Sequence, residues 1–269
     1  MSVQNFKPTL WEGSLIANFH TNSVANALST APTSVKGEKV IFNRVGSGEL
    51  KDYEGTVAWD EISTTPIEMI FDHKKYFAFS LDDVDKAQLK ADVMSATTQE
   101  HAMILAEATD KEFFKKLVGG AKSGNTIGTT GAKIYLNAEN VYDYIVDLGT
   151  ILSKNKVPKS ERYVTVNAEI LGLLSKDARF TASPNILANG VVEGQRINGL
   201  QVVWSEELPA DKIVAHHKSA IGFAKQVGEM EAMRLQTSFA DGIRGLSVFG
   251  NVILRQEAIA VLNYTLTQP

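Results

Sequence analysis

The chain has 269 residues, with 27 Lys+Arg against 31 Asp+Glu for a net charge of −4, 44% hydrophobic and 8% aromatic residues, and no cysteine. At roughly 150 residues per domain this length suits one large domain or two interleaved ones, and the apolar share rules out disorder and fibrous repeats. The missing cysteines exclude disulfides, Cys-based zinc sites and thiol nucleophiles, and the acidic balance lacks the basic footprint of a dedicated nucleic-acid binder.

Residues 1–35 carry only Lys7 and Glu12 as charges and scatter Phe6, Trp11 and Phe19 among small polar residues. This reads as an arm that needs a neighbour to pack against. A short helix over 14–28 is disfavoured by Asn18, Asn22, Ser23 and Asn26 in its interior. In 36–72, Val40-Ile41-Phe42 and the run from Tyr53 to Trp59 flank the turn Gly46-Ser47-Gly48, which predicts a long extended hairpin. A lone hairpin is marginal in water, so this one is expected to lie on another subunit or domain. Ile67, Met69 and Phe71, then Phe77 and Phe79, alternate with their neighbours as strands leading inward.

Ser80 precedes Asp83 by three residues, with Asp82 and Asp85 nearby, a capping pattern that predicts a helix start at about 81. Val84, Ala87, Ala91, Met94, Thr98, Ala102, Leu105, Thr109, Phe113 and Leu117 then form one stripe, and Gly119-Gly120 ends it behind Lys115 and Lys116. At ~1.5 Å per residue a helix over 81–118 spans roughly 55 Å, the length of a spine. Its small members and its threonines favour a packed spine over a coiled-coil seam.

A Gly/Thr-rich connector over 121–133 leads into an α/β unit. Asn137 is placed to cap a helix through about Ser153, with Val141, Ile145, Leu148 and Leu152 on one face. A strand is expected at 162–166, a helix carrying Ile170, Leu171, Leu173 and Leu174, and strands at 191–192, 197–204 and 213–216. The last third ends in strands at 246–249 and 252–254.

No constellation points to catalysis. The Gly-rich segment 124–133 lacks the Gly-Lys-Ser/Thr of a phosphate loop, because Ala132 separates Gly131 from Lys133. Gly46-Ser47-Gly48 is a turn rather than a nucleophile elbow. No pair among His20, His73, His101, His216 and His217 has helical metal-site spacing, and His216 and His217 point to opposite faces of a strand end. Asp82, Asp83 and Asp85 are explained by capping, and Lys74-Lys75 is too short a basic run for nucleic acid. No cofactor or metal is expected. No stretch reaches the ~18 apolar residues of a membrane span and no signal-peptide pattern opens the chain, so the expectation is a soluble chain made in the cytoplasm, without membrane contact.

Four segments resemble one family, the tailed-bacteriophage major capsid proteins of the Hong Kong 97 fold. The run from Lys75 to Gln88 looks like the family's entry from extended loop into spine helix. The passage Asn155-Lys156-Val157-Pro158-Lys159-Ser160-Glu161-Arg162-Tyr163-Val164 is its most distinctive match. Gly194 to Ser205 with Leu208-Pro209, and Gly242 to Gly250 with Val252 to Glu257, resemble its later strands.

The resemblance implies an α+β fold: an N-terminal arm (1–35), an extended β-hairpin loop (36–72), a peripheral domain (73–133 and 226–269) with the spine helix at about 81–118, and an axial domain (134–225). It implies a non-enzymatic coat protein that self-assembles into the icosahedral head of a tailed double-stranded DNA phage, through pentamers and hexamers, in the bacterial host cytoplasm. Without a long charged segment before the arm, a separate scaffolding protein or a processed precursor is expected, together with a portal. The net-negative subunit fits a wall that encloses DNA without binding it by sequence. Phe6, Trp11, Phe42, Tyr53 and Trp59 are the candidates for burial between subunits, where aromatics commonly dominate binding. Some family members weld neighbours by a Lys-Asn isopeptide bond, but no pattern identifies partners among Lys36, Lys39, Lys51 and Asn251. The alternatives are an encapsulin-type nanocompartment shell and, further off, a cytosolic α/β enzyme.

Overall fold

The computed structural model describes residues 23–32, 39–45, 52, 55, 64–82, 91–181, 196–236 and 240–267. In chain order the elements are β1 (Lys39–Val45), β2 (Thr64–Ile70), β3 (His73–Asp82), α1 (Ala91–Gly119), β4 (Thr126–Ile127), β5 (Ile134–Tyr135), α2 (Val141–Lys154), β6 (Arg162–Val166), α3 (Ala168–Leu174) and α4 (Ala178–Thr181). There follow β7 (Arg196–Ile197), β8 (Leu200–Trp204), β9 (Lys212–His217), β10 (Ile221–Arg234), β11 (Ala240–Ile253) and β12 (Ile259–Thr265).

Three sheets result. One orders its strands β4-β12-β9-β6-β8-β7, with β5 also paired to β12; a second runs β10-β11-β3; the third is the hairpin β1-β2. The expected peripheral stretch 226–269 is thus divided, β11 pairing with β3 and β12 with β9.

The first sheet forms from β-branched runs such as Arg162–Val166, whose Val164, Thr165 and Val166 are all buried. Asn198 and Gly199 both have positive φ, the geometry of a tight two-residue hairpin turn, so the expected strand 197–204 is broken into β7 and β8 there. Helix α2 lays Val141, Ile145, Leu148 and Leu152 onto the sheet, all fully buried. It begins four residues after Asn137, whose side chain accepts the N–H groups of Glu139 and Asn140 and closes a turn ahead of the helix instead of capping it. Asn167 does cap α3, accepting the Ile170 N–H at 3.1 Å, and its amide donates to the Tyr264 hydroxyl at 2.9 Å. Asn167→Ala removes both bonds and is expected to lower stability by about 1–2 kcal/mol, read as a lower urea midpoint at unchanged slope.

The C-terminus of α2 is closed by Arg162, which is almost fully buried. Its guanidinium donates to the carbonyls of Pro158 (2.7 Å), Val157 (2.5 Å) and Gly149 (3.2 Å) and to the Ser153 hydroxyl (3.0 Å). These acceptors stand in for the carboxylate a buried cation usually requires, because a helix C-terminus carries partial negative charge.

Helix α1 ends at Gly119 as expected, and its 29 residues span roughly 43 Å at the usual rise. Its start differs from expectation. Ser80, Leu81 and Asp82 belong to β3, where they pair with Gly242, Asp241 and Ala240, so the ladder of β11 takes residues that looked like a helix cap. Thr109, Phe113 and Leu117 of the expected stripe are buried, joined by Ala106 and Phe114. Phe113, Phe114 and Leu117 pack with Phe223 and Phe249 of the second sheet and with Val214, Ile259 and Val261 of the first, so one core spans the junction of the two sheets.

In the hairpin β1 pairs with Thr64–Ile70; the run from Tyr53 to Trp59 lies, but for Gly55, outside the described residues. The pairing follows from the faces. Val40 and Met69 are opposite one another and both bury against the body of the chain, as the alternation of Ile67, Met69 and Phe71 requires.

Candidate assembly surfaces

Residues of β3 and β11 alternate across the second sheet. Phe77 and Phe79 meet His101 of α1, and Phe249 packs in the core with Phe113, so the neighbours of these residues in sequence point away from the helix. That outward face has two zones.

The first zone is covered by the chain's own hairpin. Val40, Met69 and Phe71 bury against Ala224, with Phe42, Val248 and Val252 packed around them. Two glycines permit this approach. A Cβ on Gly250 would lie 2.4 Å from the backbone oxygen of Ile70, and one on Gly222 would lie 2.7 Å from the Phe42 ring. Arg44 reaches Glu257 at 2.8 Å and ties the hairpin to the short helical turn between β11 and β12.

The second zone is bare. Tyr76 is 79% exposed and sits opposite Leu246, itself 40% exposed. Beside them Ala78, Phe79, Ser80, Met233, Leu235, Gly242 and Arg244 line a depression of 330 Å³. Ile41 and Ile70 extend the exposed apolar surface on the hairpin's other face, and Trp204 stands exposed at the end of β8, its indole donating to Glu206. Single exposed apolar residues are ordinary, but a cross-strand pair beside a depression is a surface prepared for a partner.

The described start of the chain is fastened to α1. Asp110 accepts the Ser23 hydroxyl at 2.8 Å and the N–H groups of Val24 and Ala25 at 3.1 Å each. Burial raises the Asp110 pKa while these three donors pull it back. Further on, the Leu28 carbonyl meets His216 at 3.0 Å, and Thr30 bridges Gly222 in parallel.

Of the expected contact residues, Phe42 is half-buried and its contacts here are within its own chain; Phe6, Trp11, Tyr53 and Trp59 lie outside the described residues. Tyr76, Leu246 and Trp204 were not singled out by sequence, although the alternation through Tyr76-Phe77-Ala78-Phe79 already sets Tyr76 opposite the phenylalanines. Asn251 is buried and Lys39 pairs with Glu68 across the hairpin at 3.2 Å. Among the described residues no cluster of His, Asp or Glu has the form of a metal site, and no helix is long and apolar enough to cross a membrane.

Residues 69–262 match the family described as phage capsid protein. The chain belongs to this family. A chain of Mycobacterium phage Che8 superposes with a TM-score of 0.71 at 30% identity, covering 90% of this chain and 91% of that one. The capsid structure of Cyanophage P-SCSP1u gives a TM-score of 0.68 at 17% identity, covering 89% and 87%. The mature capsid of bacteriophage PhiM1 gives 0.66 at 14% identity, covering 92% and 88%; the likeness to these last two is one of fold. No curated protein sequence matches. The phage capsid protein therefore has the Hong Kong 97-type α+β fold and acts as a shell subunit of the virion.

Proposed function

We propose that this capsid protein closes into the icosahedral head of a tailed double-stranded DNA phage, as rings of five and six copies assembled in the host cytoplasm. Head-to-tail contacts close such rings, and several weak contacts per subunit multiply into a stable shell. The observation that carries the reading is the second sheet's outward face, covered at one end by the chain's own hairpin and left apolar at Tyr76 and Leu246. In this reading α1 with the second sheet is the peripheral unit, and the first sheet with α2 and α3 is the axial unit. Phe6, Trp11, Tyr53 and Trp59 join Tyr76 and Leu246 against neighbours, while Phe42 seats the hairpin. The role is structural rather than catalytic, with a separate scaffolding protein and a portal as partners. The nanocompartment alternative is not favoured, given the family match and the 30% identical phage chain.

Electron microscopy of the purified protein, with and without its scaffold, tests this: uniform closed shells are expected, and monomers or dimers under every condition would overturn it. Nuclease-resistant DNA within particles from infected cells separates a phage head from an enzyme container. Tyr76→Ser with Leu246→Ser is expected to cut shell yield at least about tenfold in sedimentation without moving the subunit's melting temperature, since exposed side chains add little to folding.

A further inference from the structure

His216 is wholly buried on β9, enclosed by Phe113 of α1, Tyr163 of β6 and the segment that carries Leu28. To hold the Leu28 carbonyl its Nε2 must carry the proton, which leaves Nδ1 bare; Nδ1 is sealed from solvent and has no hydrogen-bond partner among the described residues. The ring therefore fits this site in one neutral tautomer. A second proton would place an N–H and a full charge in a sealed site, with no acceptor in reach among the described residues. Ala25 and Leu28 are buried in the same cluster as Phe113, so lifting 23–30 opens the core around the ring.

We propose that residues 23–30 form an acid-releasable clasp, which His216 holds to the body of the subunit only while its imidazole is neutral. The inference rests on contacts within one chain and is independent of the assembly reading. Its sign follows from linkage. Burial depresses the His216 pKa from 6.5 to about 4, so the docked state binds fewer protons than the released one across that window, and docking weakens as pH falls through it.

The charged surroundings act as follows. His217, adjacent in β9, also disfavours a charged His216; it is itself held low by burial, with Glu161 opposing that shift and Arg162 and Arg255 adding to it. Asp110 works the other way. Its raised pKa means that the docked state takes up a proton there more readily than the released one, which offsets part of the His216 effect. Glu207, raised by burial and by Glu107, Asp110 and Glu206, with Lys111 opposing, is the other acid coupled to Asp110.

Hydrogen exchange on the full chain tests the clasp. The amides to follow are those of Leu28, Thr30 and Phe223, which bond to Val24, Ile221 and Thr30 respectively. Their protection, corrected for intrinsic exchange, is expected to fall about tenfold or more between about pH 7 and about pH 4.5, while amides of β6 and α2 keep theirs. His216→Gln, which retains a donor for Leu28 but does not titrate, is expected to flatten the profile. Constant protection of the wild-type segment down to about pH 4.5 would overturn the proposal whatever the variant does. An undiminished pH dependence in folded His216→Gln would overturn it equally.

Discussion

Arg162→Met is expected to destabilise the subunit by about 3–5 kcal/mol. Methionine fills the space but leaves the buried carbonyl of Gly149 and the part-buried carbonyls of Val157 and Pro158 without the guanidinium that joins them. Whole-domain stabilities run to about 5–15 kcal/mol, so this is about a fifth or more of the total and a drop on the order of 10 °C in melting temperature. Arg162→Lys is expected to recover less than half, because one ammonium cannot reach acceptors spread around a planar fork. Urea unfolding of the unassembled subunit measures both. A methionine variant that melts with the wild type would mean that these acceptors find other donors.

Gly250→Val is the second large effect. The new Cβ meets the Ile70 oxygen at 2.4 Å, its carbonyl carbon at 3.1 Å and the Phe71 Cα at 3.3 Å, all of them backbone atoms that no rotamer change can move aside. The hairpin must lift, uncovering Val40, Met69 and Phe71, at a cost of about 2–4 kcal/mol from overpacking and lost burial. Shells are expected to vanish from sedimentation profiles, since a displaced hairpin also misplaces Ile41 and Ile70. Gly222→Ala is the control: its Cβ meets only the Phe42 ring, which can swing, so a smaller loss is expected. Normal assembly by Gly250→Val would show that the hairpin does not seat at Ile70.

Sequence made some parts of the fold legible and hid others for identifiable reasons. The buried face of α2, strand β6 and the end of α1 were readable because each depends on local spacing or on a helix-stopping glycine pair. The partner of β1 was not. Nothing local marks Thr64–Ile70 as that partner; what seats the pair is a face completed by Val248 and Val252, far along the chain. The start of α1 failed similarly, because Ser80 to Asp82 satisfy a capping pattern locally and a strand ladder with β11 globally. Strand β11 was expected as two strands, yet its Gly250 is an accommodation to Ile70 rather than a break. At the surface, sequence pointed to aromatics of the arm and hairpin. The bare pair of Tyr76 and Leu246 escaped notice because cross-strand register brings it together.

The core around Phe113 and Leu117 has a mechanical consequence. Besides the passage through α1, the chain crosses between its two main sheets at the short helical turns Lys218–Ala220 and Gln256–Ala258, and the N–H groups of Leu254 and Arg255 both bond to the Ala220 carbonyl. Two straps laced at one point, with phenylalanines from α1 wedged beneath them, make a stiff elbow rather than a hinge. In the proposed shell this elbow is expected to hold the angle between the two sheets fixed as subunits join.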